Sequence, residues 1–112
     1  DLTGTTSGAS IISLAGNASG SVLIGGKTLT ISNAADTFDG VISDTNGNLV
    51  LTAGTQVLTG TNTYTGTTTV NGGTLRLGTG GSLAAASALI MTGTSIFDLY
   101  GNSQSIASLT GA

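Results

Sequence analysis

Apolar and polar residues alternate with a period of two over short runs of this chain. Ile12-Ser13-Leu14, Lys27-Thr28-Leu29-Thr30-Ile31-Ser32, Thr74-Leu75-Arg76-Leu77 and Phe97-Asp98-Leu99 all carry the pattern. Such alternation is the mark of a strand with one buried face, and it sets Leu29 with Ile31, Leu75 with Leu77, and Phe97 with Leu99 on that face. The Val, Ile and Thr in these runs suit a pleated surface through their branched side chains. Turn residues bound the runs: Gly25-Gly26, Asn46-Gly47-Asn48, Asn71-Gly72-Gly73, Gly80-Gly81 and Gly101-Asn102. Gly and Asn tolerate the positive φ that tight turns require. Only the segment Ser82–Ala88 has helical character, for a single turn at most. Many short strands at even spacing predict an all-β sandwich, barrel or solenoid.

An internal repeat favours the solenoid. Ser10-Ile11-Ile12-Ser13-Leu14-Ala15-Gly16 returns as Ser105-Ile106-Ala107-Ser108-Leu109-Thr110-Gly111, 95 residues on. Asp1-Leu2-Thr3-Gly4 returns as Asp98-Leu99-Tyr100-Gly101 at an offset of 97. A sandwich or closed barrel does not restart its first strand at its end, whereas a solenoid stacks equivalent coils. The expectation is one segment over 1–112, a long repeat unit plus overlap from a longer array. With coils of roughly 20 residues it makes five or six turns. Absence of Pro fits strands that donate hydrogen bonds throughout. The expected core holds Leu14, Ile24, Leu29, Ile31, Phe38, Ile42, Leu49, Leu51, Leu58, Leu75, Leu77, Leu99 and Leu109.

Composition narrows the function. Hydrophobic residues make up 38% of the chain and mean hydropathy is +0.38, so there is apolar surface to bury and disorder is excluded. Only 6% of residues are charged, with a net charge of −3. Lys27 and Arg76 are the only bases, too few to hold nucleic acid or an anionic membrane. No Cys is present, which removes disulfides and thiolate metal sites. No apolar run approaches the roughly 20 residues of a membrane helix, so membrane insertion by this segment is not expected. The first residues carry no export signal, so a signal, if the protein is exported, lies outside these 112 residues.

Candidate chemistry is sparse. Asp36, Asp39 and Asp44 are three carboxylates close in sequence and form a weak candidate calcium site, but their spacing fits no known calcium loop. Loop solvation and turn capping explain them equally well. With no His, Glu or Cys to share acid–base roles, no catalytic residues and no cofactor are expected, and the chain is read as non-enzymatic. Thr61, Thr63, Thr65, Thr67 and Thr69 alternate as in a water-ordering face, yet Thr is also the preferred outward residue of a β surface. Arg76, between Leu75 and Leu77, is expected to point outward as a solvated charge, and with Lys27 to discourage edge association.

The stretch Leu58–Gly78 carries a more specific pattern. Leu58-x-Gly60-x-Asn62-x-Tyr64-x-Gly66 is followed by Thr68, Val70, Gly73, Thr74, Leu75 and Leu77. This resembles the autotransporter-associated β-strand repeat, or passenger-associated transport repeat. Thr37-Phe38-Asp39-Gly40-Val41-Ile42 is similar to its lead-in, and Phe97-Asp98-Leu99-x-Gly101 with Ser108-Leu109-x-Gly111 to its sequel. Thr67 departs from a usual Gly and Gln56 from a common inward Leu, departures expected to weaken the packing of one coil. The resemblance implies a right-handed parallel β-helix in the passenger of a Gram-negative autotransporter, exposed at the cell surface and anchored through a domain outside this segment. It implies a structural stalk that aids secretion, with Ser82–Ala88 in a loop and Tyr64 structural. Asn62 is expected to tie a turn by side-chain to backbone bonds, with an Asn ladder between coils as the sharper alternative. The segment's expected partners are adjacent repeats stacked head to tail. The alternative is an adhesin-type or filament-forming module that takes cell-surface or glycan ligands.

Overall fold

The computed structural model describes residues 4, 6 and 8–111; the Asp1-Leu2-Thr3 part of the internal repeat lies outside them. The structure is all-β. Among the described residues the strands are β1 (Gly8–Ile11), β2 (Ser21–Leu23), β3 (Thr28–Ile31), β4 (Thr37–Phe38), β5 (Val41–Ser43), β6 (Asn48–Leu51), β7 (Thr55–Leu58), β8 (Thr67–Val70), β9 (Thr74–Leu77), β10 (Ala88–Met91), β11 (Ile96–Asp98) and β12 (Ser108–Thr110). Every strand pairing is parallel. The broadest sheet runs β1-β3-β6-β8-β10-β12, a second β11-β9-β7-β4, and a third pairs β2 with β5. The chain passes from one face to the next and returns one rung higher, forming a solenoid of about five turns.

The register shows why period two was informative. One inward column runs Ala9, Leu29, Leu49, Thr68, Leu89, Leu109, and a second runs Ile11, Ile31, Leu51, Val70, Met91. On the second sheet Phe38, Leu58 and Leu77 stack, and beside them Gln56, Leu75 and Phe97. Parallel rungs lie about 4.8 Å apart, so each side chain rests on its counterpart below. Ile24, Ile31, Ile42, Leu49, Leu51, Leu58, Val70, Leu75 and Leu77 are buried, each burial contributing on the order of 1.5–3 kcal/mol. Five rungs span about 24 Å, and overall extents of 33 × 28 × 26 Å make the stack about as tall as it is broad.

Several expectations are corrected. Leu109 continues the inward column of Leu89 but is 65% exposed on the last rung, and Leu99, 37% exposed, lies beyond the end of β11 outside the paired columns. Ile12 is 71% exposed because β1 ends at Ile11 and directs Ala9 and Ile11 inward. Ser10 stands level with Thr30, Val50, Thr69, Ile90 and Thr110, so five turns carry it to Thr110 and not to Ser105. The two copies of the internal repeat therefore sit at different places on the coil. Of the segment Ser82–Ala88, Ser82 bridges to Thr61, Ala88 begins β10, and the residues between form a loop with one turn closed by Ser87 N–H on the Ala84 carbonyl, as expected. Among the described residues no helix is long and apolar enough to cross a membrane.

Candidate functional site

Nearly every residue of the motif from Leu58 to Leu77 serves contact between coils. Leu58, Val70, Leu75 and Leu77 fill the inward columns, while Thr74 begins β9 and its N–H donates to the Gly54 carbonyl. Gly60 is required by approach: a Cβ there would stand 1.9 Å from the Gly40 carbonyl oxygen. At Gly66 a Cβ would stand 2.2 Å from Asn48 Oδ1, and Gly73 combines positive φ (73°) with a 2.1 Å approach to the Gly54 oxygen. The Asn48 Oδ1 near Gly66 accepts from Thr67 N–H (2.7 Å) and Thr67 Oγ1 (3.1 Å). Thr67, expected to weaken its coil, thus gains a hydroxyl contact that Gly lacks.

Asn62, only 1% exposed, links three coils. Its Oδ1 accepts from Ile42 N–H below (2.9 Å), while Nδ2 donates to the Gly60 carbonyl (3.2 Å) and to the Ser82 carbonyl above (3.1 Å). The side-chain amide takes the place of ladder bonds where the third face lacks strand structure. It bonds between coils as well as within its own turn, through backbone groups of Ile42 and Ser82 and not through a ladder of Asn. Tyr64 is fully buried, and its hydroxyl pairs with Thr68 Oγ1 at 2.7 Å. Thr68 occupies a level that Leu29, Leu49 and Leu89 fill elsewhere, because the buried hydroxyl needs a polar partner. Burial pushes the Tyr64 hydroxyl pKa far above its ordinary value, and the Thr68 bond only partly opposes this. Ser87 Oγ donates to the Tyr64 carbonyl (2.8 Å), joining the next coil to the same seam.

Gln56 overturns the expectation of a weakened coil. It is fully buried in the column of Leu75 and Phe97. Its Oε1 accepts from Leu14 N–H (3.1 Å) and its Nε2 donates to the Leu14 carbonyl (2.8 Å), two coils below. The same Nε2 reaches the Asp36 and Val57 carbonyls, both at 3.2 Å. Gln104 grips both backbone groups of Leu83 in the same way, at 2.7 and 2.8 Å. The sequence signal for the Gln56 clasp is an uncharged amide in a slot that period two assigns to the core. Among the described residues every buried side-chain polar atom has a hydrogen-bond partner.

The remaining candidates do not converge. Asp39 Oδ1 accepts from Thr59 Oγ1 at 2.6 Å, Asp44 Oδ2 caps Gly25 N–H at 2.8 Å, and Asp36 is exposed. Among the described residues no group of three His, Cys, Asp or Glu is placed to hold a metal ion. Thr67 and Thr69 do lie outward on β8, as Thr28 and Thr30 do on β3, but Asn48 with Val50 and Ala88 with Ile90 interrupt the rank. Thr61 and Thr63 precede this face, and Thr65 Oγ1 accepts from Asn46 N–H (2.9 Å). Arg76 points outward as expected, yet it is more than a solvated charge: Nε donates to Asp98 Oδ2 at 2.9 Å, and its guanidinium lies 5.1 Å from the Tyr100 ring centroid.

Residues 53–77 match the family model described as Passenger-associated-transport-repeat, a stretch that contains the whole motif from Leu58 to Leu77. Neither a curated protein nor a solved structure matches the chain.

Proposed function

Starting from a passenger-associated transport repeat at residues 53–77, we propose that this chain is a structural segment of a secreted or surface-exposed bacterial passenger. Its work is to extend and display what is attached to it, and to favour secretion by folding coil upon coil. The observation that carries this reading is the use of the motif: Gly60, Asn62 and Gly73 and the Tyr64 backbone all make contacts between neighbouring coils, while the Tyr64–Thr68 pair fills the interior of one coil. Such residues make length and shape, and the reading is non-enzymatic. Low charge suits a chain that must thread a pore, and stepwise stacking supplies a free-energy gradient toward the outside. The Leu109 end of the inward column favours an adjacent coil, of the same or an identical chain, as the neighbouring partner.

The test is export. The chain is placed within the passenger of an exporter with an outer-membrane barrel, and surface exposure is read by external protease and antibody. Gly60→Val is expected to lower surface display severalfold at equal synthesis, since the coil cannot close over the Gly40 carbonyl. Equal display of the unfolded variant would show that the segment's folding does not aid secretion.

A further inference from the structure

Two Asn-Gly pairs lie in turns between strands, Asn46-Gly47 and Asn71-Gly72, and both asparagines are exposed. An asparagine followed by glycine is chemically labile. The amide nitrogen of the next residue can attack the side-chain carbonyl carbon, and glycine has no Cβ to obstruct the approach. The structure sets the two pairs apart. Gly47 is buried and clamped: its N–H donates to the Asp44 carbonyl at 3.3 Å, and its carbonyl accepts from Gly66 N–H at 2.9 Å. Asn46 is held in the left-handed region (φ 64°), with its N–H on Thr65 Oγ1 at 2.9 Å. An amide nitrogen fixed in this way must give up a hydrogen bond before it turns toward the side chain preceding it.

Gly72 is held differently. It enters no hydrogen bond among the described residues, so its amide nitrogen is available for attack. Asn71 lies within the stack, with a coil on either side of it. Its N–H donates to the Leu51 carbonyl below at 2.8 Å, and Thr92 Oγ1 above donates to its Oδ1 at 3.1 Å. Thr92 Oγ1 also lies 3.4 Å from the Asn71 carbonyl oxygen, the longer of the two contacts. The Thr92 hydroxyl is therefore directed at the carboxamide oxygen. Negative charge develops on that oxygen when a nucleophile adds to Cγ, and a donor already aimed at it stabilises the transition state. The leaving nitrogen, Asn71 Nδ2, has no hydrogen-bond partner among the described residues.

We propose that Asn71 is a site of spontaneous modification, deamidation through a cyclic imide, with Thr92 as a positioning residue. The Gly72 nitrogen forms a bond to Asn71 Cγ, its proton passes through water to Nδ2, and the Cγ–Nδ2 bond breaks to release ammonia. Water then opens the five-membered imide at either carbonyl. One opening gives aspartate; the other gives isoaspartate, in which the backbone runs through the side chain and gains a methylene. Both products add one negative charge. The isoaspartyl product also lengthens the chain directly before Gly72 and Gly73. A Cβ at those residues would stand 2.6 Å from the Thr52 oxygen and 2.1 Å from the Gly54 oxygen, so an extra backbone atom finds no room and loosens the start of β9. This proposal stands whether or not the segment aids export.

The test is peptide mapping of the folded chain during incubation in mildly alkaline buffer. Mass spectrometry reads the amide-to-acid change at each asparagine, and enzymatic methylation detects isoaspartate. Asn71 is expected to convert at least tenfold faster than Asn46, a gap that closes when urea unfolds the chain and frees both pairs alike. Thr92→Val is expected to slow the Asn71 reaction severalfold and Thr92→Ser to keep the original rate, with both variants folded by circular dichroism. Aged chain enriched in isoaspartate is expected to unfold at lower urea than Asn71→Asp, which carries the charge without the extra backbone atom. Equal rates at Asn46 and Asn71 in the folded chain, or no conversion at Asn71, would overturn the site. An unchanged rate in Thr92→Val would overturn the role of Thr92, and equal unfolding of the aged chain and Asn71→Asp would overturn the loosening of β9.

Discussion

Replacing Gln56 by Leu restores the apolar residue that the alternation pattern calls for, and the structure predicts that this harms the protein. The side chain makes four hydrogen bonds, of which the two to Leu14 are the strongest by geometry, at 3.1 and 2.8 Å. Each contributes about 1 kcal/mol net, and removal of the amide leaves Leu14 N–H and C=O without their partner. Because Leu14 is half-buried, water recovers part of that loss. A leucine at the level of Leu75 regains about 1 kcal/mol through apolar burial. The balance is a loss of about 1–3 kcal/mol, and Gln56→Ala, which adds a cavity, loses about 2 kcal/mol more. Urea unfolding followed by circular dichroism gives the global figure. Hydrogen exchange at the Leu14 amide reports the local event, because its partner is 42 residues away. A Gln56→Leu chain that is as stable as the original, with the Leu14 amide still protected, would refute the view of Gln56 as a clasp.

Three further outcomes follow from the same contacts. Gly60→Ala is expected to cost about 3 kcal/mol or more, because the added Cβ meets backbone that shifts only if the ladder opens; Gly4→Ala, with nothing within 4 Å, is the neutral control in the same denaturant series. Tyr64→Phe is expected to cost about 1–2 kcal/mol by stranding the Thr68 hydroxyl, and the Tyr64→Phe/Thr68→Val double variant should lose less than the sum of the single changes. Folding raises the Tyr64 pKa, so the native state keeps a proton that the unfolded chain releases above about pH 10. The associated stability is complete below that pH and falls by up to about 1.4 kcal/mol per pH unit above it. In a Tyr100→Phe background, tyrosinate absorbance should appear only together with unfolding.

The solenoid was legible because two signals agree. Period two in Leu29-Thr30-Ile31 and Leu75-Arg76-Leu77 gave inward columns that the register confirms. Phe38 was rightly read as core, and the space for its ring comes from Gly16, Gly20 and Gly40, where a Cβ would stand within 3.2 Å of it. What alternation does not encode is contact across coils. The grip of Gln56 on Leu14 depends on Asp36 and Leu14 lying at successive levels below it, a coincidence of coil lengths invisible in a linear pattern. Coil lengths also vary from 19 residues, Leu49 to Thr68, to 22, Leu75 to Phe97. Five turns carry Ser10 to Thr110, 100 residues on, so a sequence offset of 95 does not correspond to whole turns. The Arg76, Asp98 and Tyr100 cluster was equally hidden, since the first member belongs to the coil below the other two.

Spin-label distances measure the parallel stack most directly, and the absence of Cys makes paired labelling at Ser10, Ile90 and Thr110 straightforward. These outward sites lie on one level line of the broad sheet. With about 4.8 Å per rung, backbone separations should be about 19 Å for Ser10–Ile90 and about 24 Å for Ser10–Thr110. Distances growing in that proportion, rung by rung, are the predicted result. A Ser10–Thr110 distance shorter than Ser10–Ile90, as in a sheet that closes on itself, would contradict the solenoid and the roles assigned to its seams.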